Sequence, residues 1–299
     1  MASQLNEAAV QVQQAAGDFG LSAGDKFTLW IGIAIYMAVL IGIGMWSSRR
    51  VKGMNDFLVA GRRLPLWMST ATLLATWFGA GSSMGVAATV YDEGIGGVLA
   101  DPFGASVSLI ISGIFIVGML RRLKCLTVTD IVERKYGKWA GVYTSLWMIP
   151  VYIGWLGAQL LGMGTILHVL TGMSILHGTL IGAVVVLVYT FAGGMWAVTL
   201  TDVVQVSLIV IGLFLIVPGA LSQAGGWEAV SARLSSDDLS LWIRTQAGVA
   251  PTSTDWVYYI GSWIIMGLGC TIGQDLIQRS LASRNEKIAA SSAVISGFF

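Results

Sequence analysis

Residues 176–222 read LHGTLIGAVVVLVYTFAGGMWAVTLTDVVQVSLIVIGLFLIVPGALS, and this long apolar stretch decides the fold class of the chain. A helix needs about 20 apolar residues to cross the hydrocarbon core of a bilayer. The stretch is therefore long enough for two passes. Inside a membrane, only α-helices and closed barrels satisfy their backbone hydrogen-bonding groups. The sequence predicts an all-α, polytopic helical membrane protein.

Other apolar stretches on both sides of this one extend the prediction along the chain. They run at roughly 27–47, 67–90, 103–120 and 140–168, with a more polar one at 255–273 and another beginning near Ala289. Charged residues make up only 11% of the chain, and its mean hydropathy is +0.76. Soluble domains carry about 25% charged residues. We therefore expect seven spans and the start of an eighth, in a transmembrane domain of residues 27–299.

The basic residues predict the orientation of these spans. Most of the 17 Lys and Arg residues fall in three connections between spans. The order of the spans places all three connections on the same side of the membrane. They are Arg49, Arg50, Lys52, Arg62, Arg63, then Arg121, Arg122, Lys124, Arg134, Lys135, Lys138, and finally Arg279, Arg284 and Lys287. Basic loops stay in the cytoplasm. The sequence thus predicts a multi-pass protein of the plasma (inner) membrane with its N-terminus outside, where Lys26, Arg233 and Arg244 also lie.

Two polar regions are expected on the outer side. Residues 1–26 lack a basic start followed by an apolar core, so they are predicted to be a solvated tail and no signal peptide. Residues 223–254 form the long outer loop. Trp227, Trp242 and Trp256, in and just after this loop, suit anchoring at a membrane interface, with a ligand site as the alternative.

The sequence offers no constellation for catalysis. It has no Walker loop and no His/Glu metal spacing, and its two histidines, His168 and His177, are expected near the outer face. Cys125 falls in a cytoplasmic connection and Cys270 in a span, so no disulfide and no metal site are expected. We predict that the chain is not an enzyme and carries no cofactor.

Two spans contain segments that are poor helix formers. Residues 75–85 read ATWFGAGSSMG and residues 267–275 read GLGCTIGQD. Glycine disfavours a helix interior, and interrupted apolar segments at matching places in two halves of a chain indicate a transporter site. Each segment also has two glycines four residues apart, which suits close packing of helices. Both interpretations stay open at this point.

Two carboxylates lie close to apolar stretches. An ionisable group within a membrane is costly and is therefore a functional hypothesis by default. Asp202 follows Gly193-Gly194, where we expect a cytoplasmic turn, so solvation is the alternative for its carboxylate. Asp275 either marks a helix end or pairs locally with Arg279, one turn further on.

Several motifs resemble those of the sodium:solute symporter family. The strongest is YTFAGGMWAVTLTDVVQ at residues 189–205, which looks like the family signature. AGRRLP at 60–65, the segment 75–85, and QRSLAS at 278–283 reinforce it, in the same order and with the same span spacing. The resemblance covers the chain from about residue 27 to its end.

The resemblance implies a leucine-transporter-like fold, in which two five-helix repeats have inverted topology and an extra helix precedes the first. The first span is then the extra helix, spans two to six form the first repeat, and the seventh opens the second repeat. The two glycine-rich segments become the first helix of each repeat. Because residue 299 falls inside the eighth span, this fold is expected to be incomplete here, with three or more helices to follow.

The function implied by the resemblance is sodium-coupled symport of a small organic solute by alternating access. The family includes carriers of sugars, proline, pantothenate, iodide and choline. Sodium is then the coupling ion. Two alternatives remain: a transporter-like sensory membrane domain, and an inactive truncated fragment.

The resemblance also implies where sodium binds. The family uses backbone carbonyls at the break of the first repeat helix, and the matching positions are Ala75 and Phe78. Such carbonyls are free to coordinate a cation because they accept no hydrogen bond from a helical N–H group. Arg62 and Asp202 match family positions on the cytoplasmic side that are tied to sodium coupling or release.

Within the family, the pattern is most similar to the high-affinity choline transporter group. Trp77 and Trp155 match positions where that group places aromatic side chains around a quaternary ammonium. A cation–π contact with a desolvated cation is worth about 2 kcal/mol or more. Ala105 stands where a tyrosine is expected and Gly273 where a further tryptophan is expected. With Asp275 as a negative charge, a cationic or zwitterionic solute is favoured. The predicted substrate-binding residues are Trp77, Ser82, Trp155, Gly273, Gln274 and Asp275.

Overall fold

The computed structural model describes residues 22–79, 81–243 and 250–299. Most of the predicted tail 1–26, and also Ala80 and Arg244, lie outside the described residues. The helices, numbered along the chain, are α1 Ala23–Ser48, α2 Met54–Val59, α3 Leu66–Trp77, α4 Val86–Glu93, the composite span α5 Ile95–Leu123, α6 Val128–Tyr136, α7 Lys138–Thr171, α8 Ile175–Gln223, α9 Gly226–Ser231, α10 Ser253–Gly267, α11 Gln274–Ala282 and α12 Glu286–Phe298.

The described helices include four that are long and apolar enough to cross a membrane, namely α1, α5, α7 and α8. A fifth candidate is the pair α3 and Gly81–Glu93, whose two parts are bent by 80°. These elements fall on the predicted spans one to six. The seventh predicted span, 255–273, corresponds to the shorter α10, and α12 begins three residues before Ala289.

The long helix α8 is a hairpin of two passes, as its length predicts. Gly194, with φ 53° and ψ −142°, is non-helical and reverses the chain direction. Before it, Tyr189 packs against Gly44 in the second half of α1. After it, the chain returns along the same helix, and Gln205 Nε2 donates to the hydroxyl of Tyr36 at 2.9 Å. The glycine pair therefore forms the expected turn.

The two interrupted helices meet in the centre of the molecule. The Leu64 N–H, just before α3, donates to the Ala282 carbonyl at the end of α11 at 3.1 Å, and the Arg284 N–H donates to the Leu64 carbonyl at 2.9 Å. The two backbone segments of this isolated bridge run parallel. Thr72 of α3 and Arg279 of α11 both contact Asp202. The start of α3 therefore packs beside the end of α11.

The core lies between these two helices. Leu64, Leu73, Leu276 and Ile277 are almost wholly buried there. Helix α12 packs closely against α5. A Cβ added at Gly113 of α5 would come within 2.8 Å of the Ala290 carbonyl oxygen of α12. Close helix contacts of this kind take the place of the hydrophobic effect inside a membrane.

The three basic connections meet at one face of the molecule, which the charge pattern predicts. Arg62 donates to the Lys124 carbonyl oxygen at 2.6 Å, and Arg121 Nε donates to the Ser283 carbonyl oxygen at 2.9 Å. The first connection therefore contacts the second, and the second contacts the third. That this face is cytoplasmic stays a prediction.

The outer loop packs against the opposite end of the helices. The Ile95 N–H donates to the Asp238 carbonyl at 2.9 Å. Trp242, Trp256 and Tyr259 form an aromatic cluster, with ring centroids 5.8 to 6.2 Å apart. Interface anchoring by the loop tryptophans stays a prediction.

The Gly194 turn generates a testable prediction. A Cβ at this position would lie 2.6 Å from the Phe57 carbonyl oxygen, and the backbone there has a positive φ. We expect Gly194→Ala to lower the free energy of unfolding by about 1–3 kcal/mol, the usual cost of a strained backbone position. Thermal unfolding of the detergent-solubilised protein, followed by tryptophan fluorescence, measures the effect.

The matched control is Gly212→Ala, in the second half of the same helix, where a Cβ would have no neighbour within 4 Å. This variant should unfold at the wild-type temperature or above. Equal unfolding temperatures for the two variants would contradict the assignment of the turn.

Candidate functional site

The first break lies at the end of α3. Helix α3 ends at Trp77, and Phe78 departs from helical geometry with φ −88° and ψ 75°. The last helical bond runs from the Phe78 N–H to the Leu74 carbonyl at 3.1 Å. A helix end leaves its final carbonyls without partners inside the helix. The Ala75 and Phe78 carbonyls therefore stand at or beyond that end.

A serine and an aspartate hold the chain just after this break. The Ser82 hydroxyl lies 2.7 Å from the Trp77 carbonyl oxygen and 3.0 Å from Asp101 Oδ2. The hydroxyl has a single proton to share between these two acceptors. Ser82 thus links the first break to Asp101 of α5, a half-buried carboxylate within a membrane span.

Sequence reasoning missed Asp101, because it started the third span at residue 103. The signal was present in the pair Asp101-Pro102 within the apolar run of α5. In the structure Asp101 is non-helical, with φ −136° and ψ 117°. A third interruption therefore lies beside the first break.

The two tryptophans predicted to form an aromatic cage have different surroundings. Trp77 is half-buried against the core, and its indole Nε1 has no hydrogen-bond partner among the described residues. Trp155, on α7, is 53% exposed. Ala105, where a tyrosine was expected, is buried. The structure therefore half-buries Trp77, and it does not bury Trp155.

The second break falls within the glycine-rich segment 267–275. Helix α10 ends at Gly267, the chain turns through residues 268–273, and α11 begins at Gln274. The Thr271 hydroxyl donates to the Leu268 carbonyl at 2.7 Å and stabilises the turn. Gln274 and Asp275 therefore occupy the first turn of α11. A Cβ at Gly273 would lie 2.5 Å from Asp275 Oδ1, so a larger residue there requires this carboxylate to move.

A tyrosine that the sequence did not single out organises this second break. The Tyr152 hydroxyl, on α7, accepts the Gln274 N–H at 2.9 Å and donates to Asp275 Oδ1 at 3.2 Å. Gln274 Oε1 accepts the Val128 N–H at 2.8 Å. One tyrosine in an apolar span carries no local signal, so only the folded chain identifies it.

A cavity of about 460 Å³ reaches the second break from the α7 side. Its lining consists of Tyr143, Thr144, Trp147, Met148, Val151, Tyr152, Ile272, Gly273 and Gln274. Residues of the first break do not line this cavity. That both breaks face one shared cavity stays a prediction.

Asp202 is buried, which excludes the alternative that its carboxylate is solvated. Its carboxylate accepts a hydrogen bond from the Thr72 hydroxyl and lies 4.0 Å from Arg279 Nε. Arg279 does not pair with the side chain of Asp275. It contacts only the main-chain carbonyl of Asp275, at 3.4 Å. The ion pair instead joins α8 to α11, with α3 hydrogen-bonded to it.

Arg62 lies away from Asp202, although both are predicted to serve sodium coupling or release. Its Nη2 donates to the Lys124 carbonyl at 2.6 Å and lies 3.3 Å from the Cys125 carbonyl. Asp202 has its partners on α3 and α11 instead. The structure therefore places the two residues in separate environments.

Comparisons with known proteins agree with this architecture. The model of the sodium:solute symporter family matches residues 57–299. The high affinity choline transporter 1 of Homo sapiens is 29% identical over 283 residues, which cover 90% of this chain and 47% of the relative. The sodium/glucose cotransporter of Vibrio parahaemolyticus is 28% identical over 283 residues, covering 89% of this chain and 51% of the relative. The chain spans about half the length of these curated relatives.

The fold is similar to a solved structure as well. A sodium-coupled sialic acid symporter, in a substrate-bound outward-open state, superposes with a TM-score of 0.75 at 20% identity. The match covers 94% of this chain and 57% of the symporter. The all-α, inverted-repeat symporter fold is confirmed.

The buried ion pair generates the second prediction. We expect Asp202→Asn to destabilise the protein by about 3–5 kcal/mol, because Arg279 is left as an uncompensated buried charge. Breaking the exposed pair of Arg122 and Glu286 with Glu286→Gln should cost only about 0–1 kcal/mol. Chemical or thermal unfolding of the purified variants measures both effects.

A double variant makes the comparison sharper. Asp202→Asn combined with Arg279→Gln removes both charges, so it should recover part of the stability that the single change loses. If the double variant loses as much as the two single variants added together, Asp202 and Arg279 do not act as a pair.

Proposed function

The chain belongs to the sodium:solute symporter family, and we propose that it forms part of a sodium-coupled symporter for a small organic solute. The observation that carries the proposal is the pair of interrupted helices, α3 and α10–α11, which both contact Asp202 and each break within an apolar stretch. Interrupted helices of this kind bind substrate and coupling ion in transporters. Alternating access then moves the solute across a plasma membrane, with the N-terminus of the chain outside.

Sodium binds at the first break in this proposal. The supporting observation is that the helix ends just after Ala75, and Phe78 turns away from helical geometry. Carbonyl oxygens suit a hard cation. The Trp77 carbonyl is less available, because the Ser82 hydroxyl lies 2.7 Å from it. Ala75 and Phe78 therefore supply the backbone ligands.

The solute binds beside Trp77 and is cationic or zwitterionic. Three features support this proposal: the half-buried Trp77, whose indole N–H has no partner among the described residues, the Ser82–Asp101 contact, and the Asp275 carboxylate at the second break. A desolvated cation needs compensation from a negative group or an aromatic face. Gly273 and Gln274 shape the other side of the site. The relatives include transporters named for choline and for glucose, so the identity of the solute is decided by experiment.

Asp202 couples the two halves of the transporter. Its ion pair with Arg279 joins the last pass of α8 to the interrupted helix α10–α11, near the face where the basic connections meet. Movement of α11 relative to α8 must break or remake this pair. In this proposal, the position is suited to sodium release, and Arg62 acts separately on the same face.

The sodium proposal is tested by Ala75→Leu in cells expressing the gene that encodes this chain. The larger side chain should crowd the ion site, so the half-saturating sodium concentration should rise about tenfold, equivalent to about 1.4 kcal/mol. Solute affinity at saturating sodium should change much less. Ala88→Leu, on the exposed face of α4, is the control. Unchanged sodium activation of uptake in Ala75→Leu would exclude this site.

The solute proposal is tested by uptake of choline, betaine, proline, glucose and pantothenate, with Trp77 varied. Trp77→Ala should weaken affinity roughly 30-fold, because a desolvated cation–π contact is worth about 2 kcal/mol. Trp77→Phe keeps a ring and should weaken it less. Trp155→Ala is the matched control, since that side chain is half exposed. Transport confined to sugars or anions, or indifference to Trp77→Ala, would rule out a cationic solute.

A further inference from the structure

A second cavity, unrelated to the two breaks, opens on the face where the basic connections meet. Its volume is about 510 Å³, within the range of small-molecule sites. It lies between the end of α5, the start of α6 and the connection from α2 to α3. The residues that line it are Asn55, Arg62, Arg121, Lys124, Cys125, Leu126, Asp130 and Arg134.

The charges of this cavity do not balance. Three guanidinium groups and one ammonium group line it, against the single carboxylate of Asp130. That carboxylate is already committed to the start of α6, where it accepts the Leu126 N–H at 2.8 Å and the Thr127 N–H at 3.1 Å. Burial alone would raise the pKa of Asp130, but these hydrogen bonds outweigh it and lower the pKa. One negative charge therefore faces four positive charges.

The cationic side chains are held in place by main-chain carbonyls. Arg62 contacts the Lys124 and Cys125 carbonyls, and Arg134 Nη1 donates to the Leu123 carbonyl at 2.9 Å. Arg121 donates to the Ser283 carbonyl at 2.9 Å. Carbonyls fix a guanidinium group without neutralising its charge. In the described part of the chain, none of the four cations forms an ion pair within 4 Å.

One donor in the cavity lacks any partner. Nη1 of Arg62 is buried and makes no hydrogen bond within the described residues. A buried polar group without a partner is destabilising. The thiol of Cys125 cannot compensate, because its own burial raises its pKa and keeps it protonated at neutral pH. An anion in the cavity would balance the charge of the side chains that line it.

We propose that this cavity binds a phosphate group. Guanidinium groups match the geometry of phosphate oxygens and bind them through paired, charge-assisted hydrogen bonds. Arg62 and Arg134 present such groups from two separate connections, and Lys124 adds a mobile positive charge. The site involves no residue of either break, and it shares only Arg62 with the proposed transport function.

Two sources of phosphate fit this chemistry: the headgroup of an anionic lipid, and a free phosphate compound. Basic pockets at the ends of membrane helices bind lipid headgroups. Here Arg121 and Lys124 lie at the end of the candidate membrane span α5.

Thermal unfolding of the purified, delipidated protein tests the proposal with two probes at constant ionic strength. The first probe is inorganic phosphate, with chloride as its control. The second is dihexanoyl phosphatidic acid, with dihexanoyl glycerol as its control. We expect saturable stabilisation by at least one phosphate probe and none by its control. Stabilisation by phosphatidic acid alone identifies a lipid headgroup, and stabilisation by inorganic phosphate as well identifies a site open to free phosphates.

The variant Lys124→Gln with Arg134→Gln should weaken the apparent affinity at least tenfold. These two side chains belong to exposed residues, so the fold should persist. The matched control is Lys135→Gln with Lys138→Gln, which removes the same charge from the same face but outside the cavity. Equal weakening in both double variants would show general attraction to a basic surface and overturn the proposal. Absence of saturable stabilisation by either probe would overturn it as well.

Discussion

The contact between Asp202, Thr72 and Arg279 is the constraint on which the rest of the structure depends. It joins three helices that are far apart in sequence, two from the first repeat and one from the second. A buried ion pair is costly to desolvate and very costly to break. It therefore adds little net stability, yet it penalises any packing that separates the two charges. The relative position of α3 and α11, and hence of their two breaks, follows from this pairing.

Polar side chains near the two breaks hold the interrupted backbone in place. Ser82 joins the Trp77 carbonyl to Asp101, and Tyr152 holds the first turn of α11 against α7. An unwound segment inside a membrane must have its backbone groups satisfied by protein. These side chains provide that support, so the carbonyls that remain free are held in defined positions. A site for a small ion requires such preorganisation.

The basic face has two roles that arise from one set of residues. Lys and Arg in the connections fix the orientation of a membrane protein through their number alone. Once the chain has folded, several of these side chains also converge on one cavity, fixed by main-chain carbonyls of the neighbouring connection. Basic residues that set the orientation of the spans thus also concentrate positive charge at this cavity.

The sequence by itself determined the helical class, the order of the spans, the turn at Gly193-Gly194 and the approximate place of both breaks. These features are local, because apolar length decides whether a helix spans the membrane and glycine decides where it is interrupted. Only the tertiary structure decided the partners. The sequence around Asp202 is the same whether its carboxylate is solvated or paired with Arg279. Trp155 was predicted to line the substrate site, yet it is exposed. Asp101 and Tyr152 gain their roles from residues on other elements. Such pairings depend on which helix faces pack together, and no single stretch of sequence contains that information.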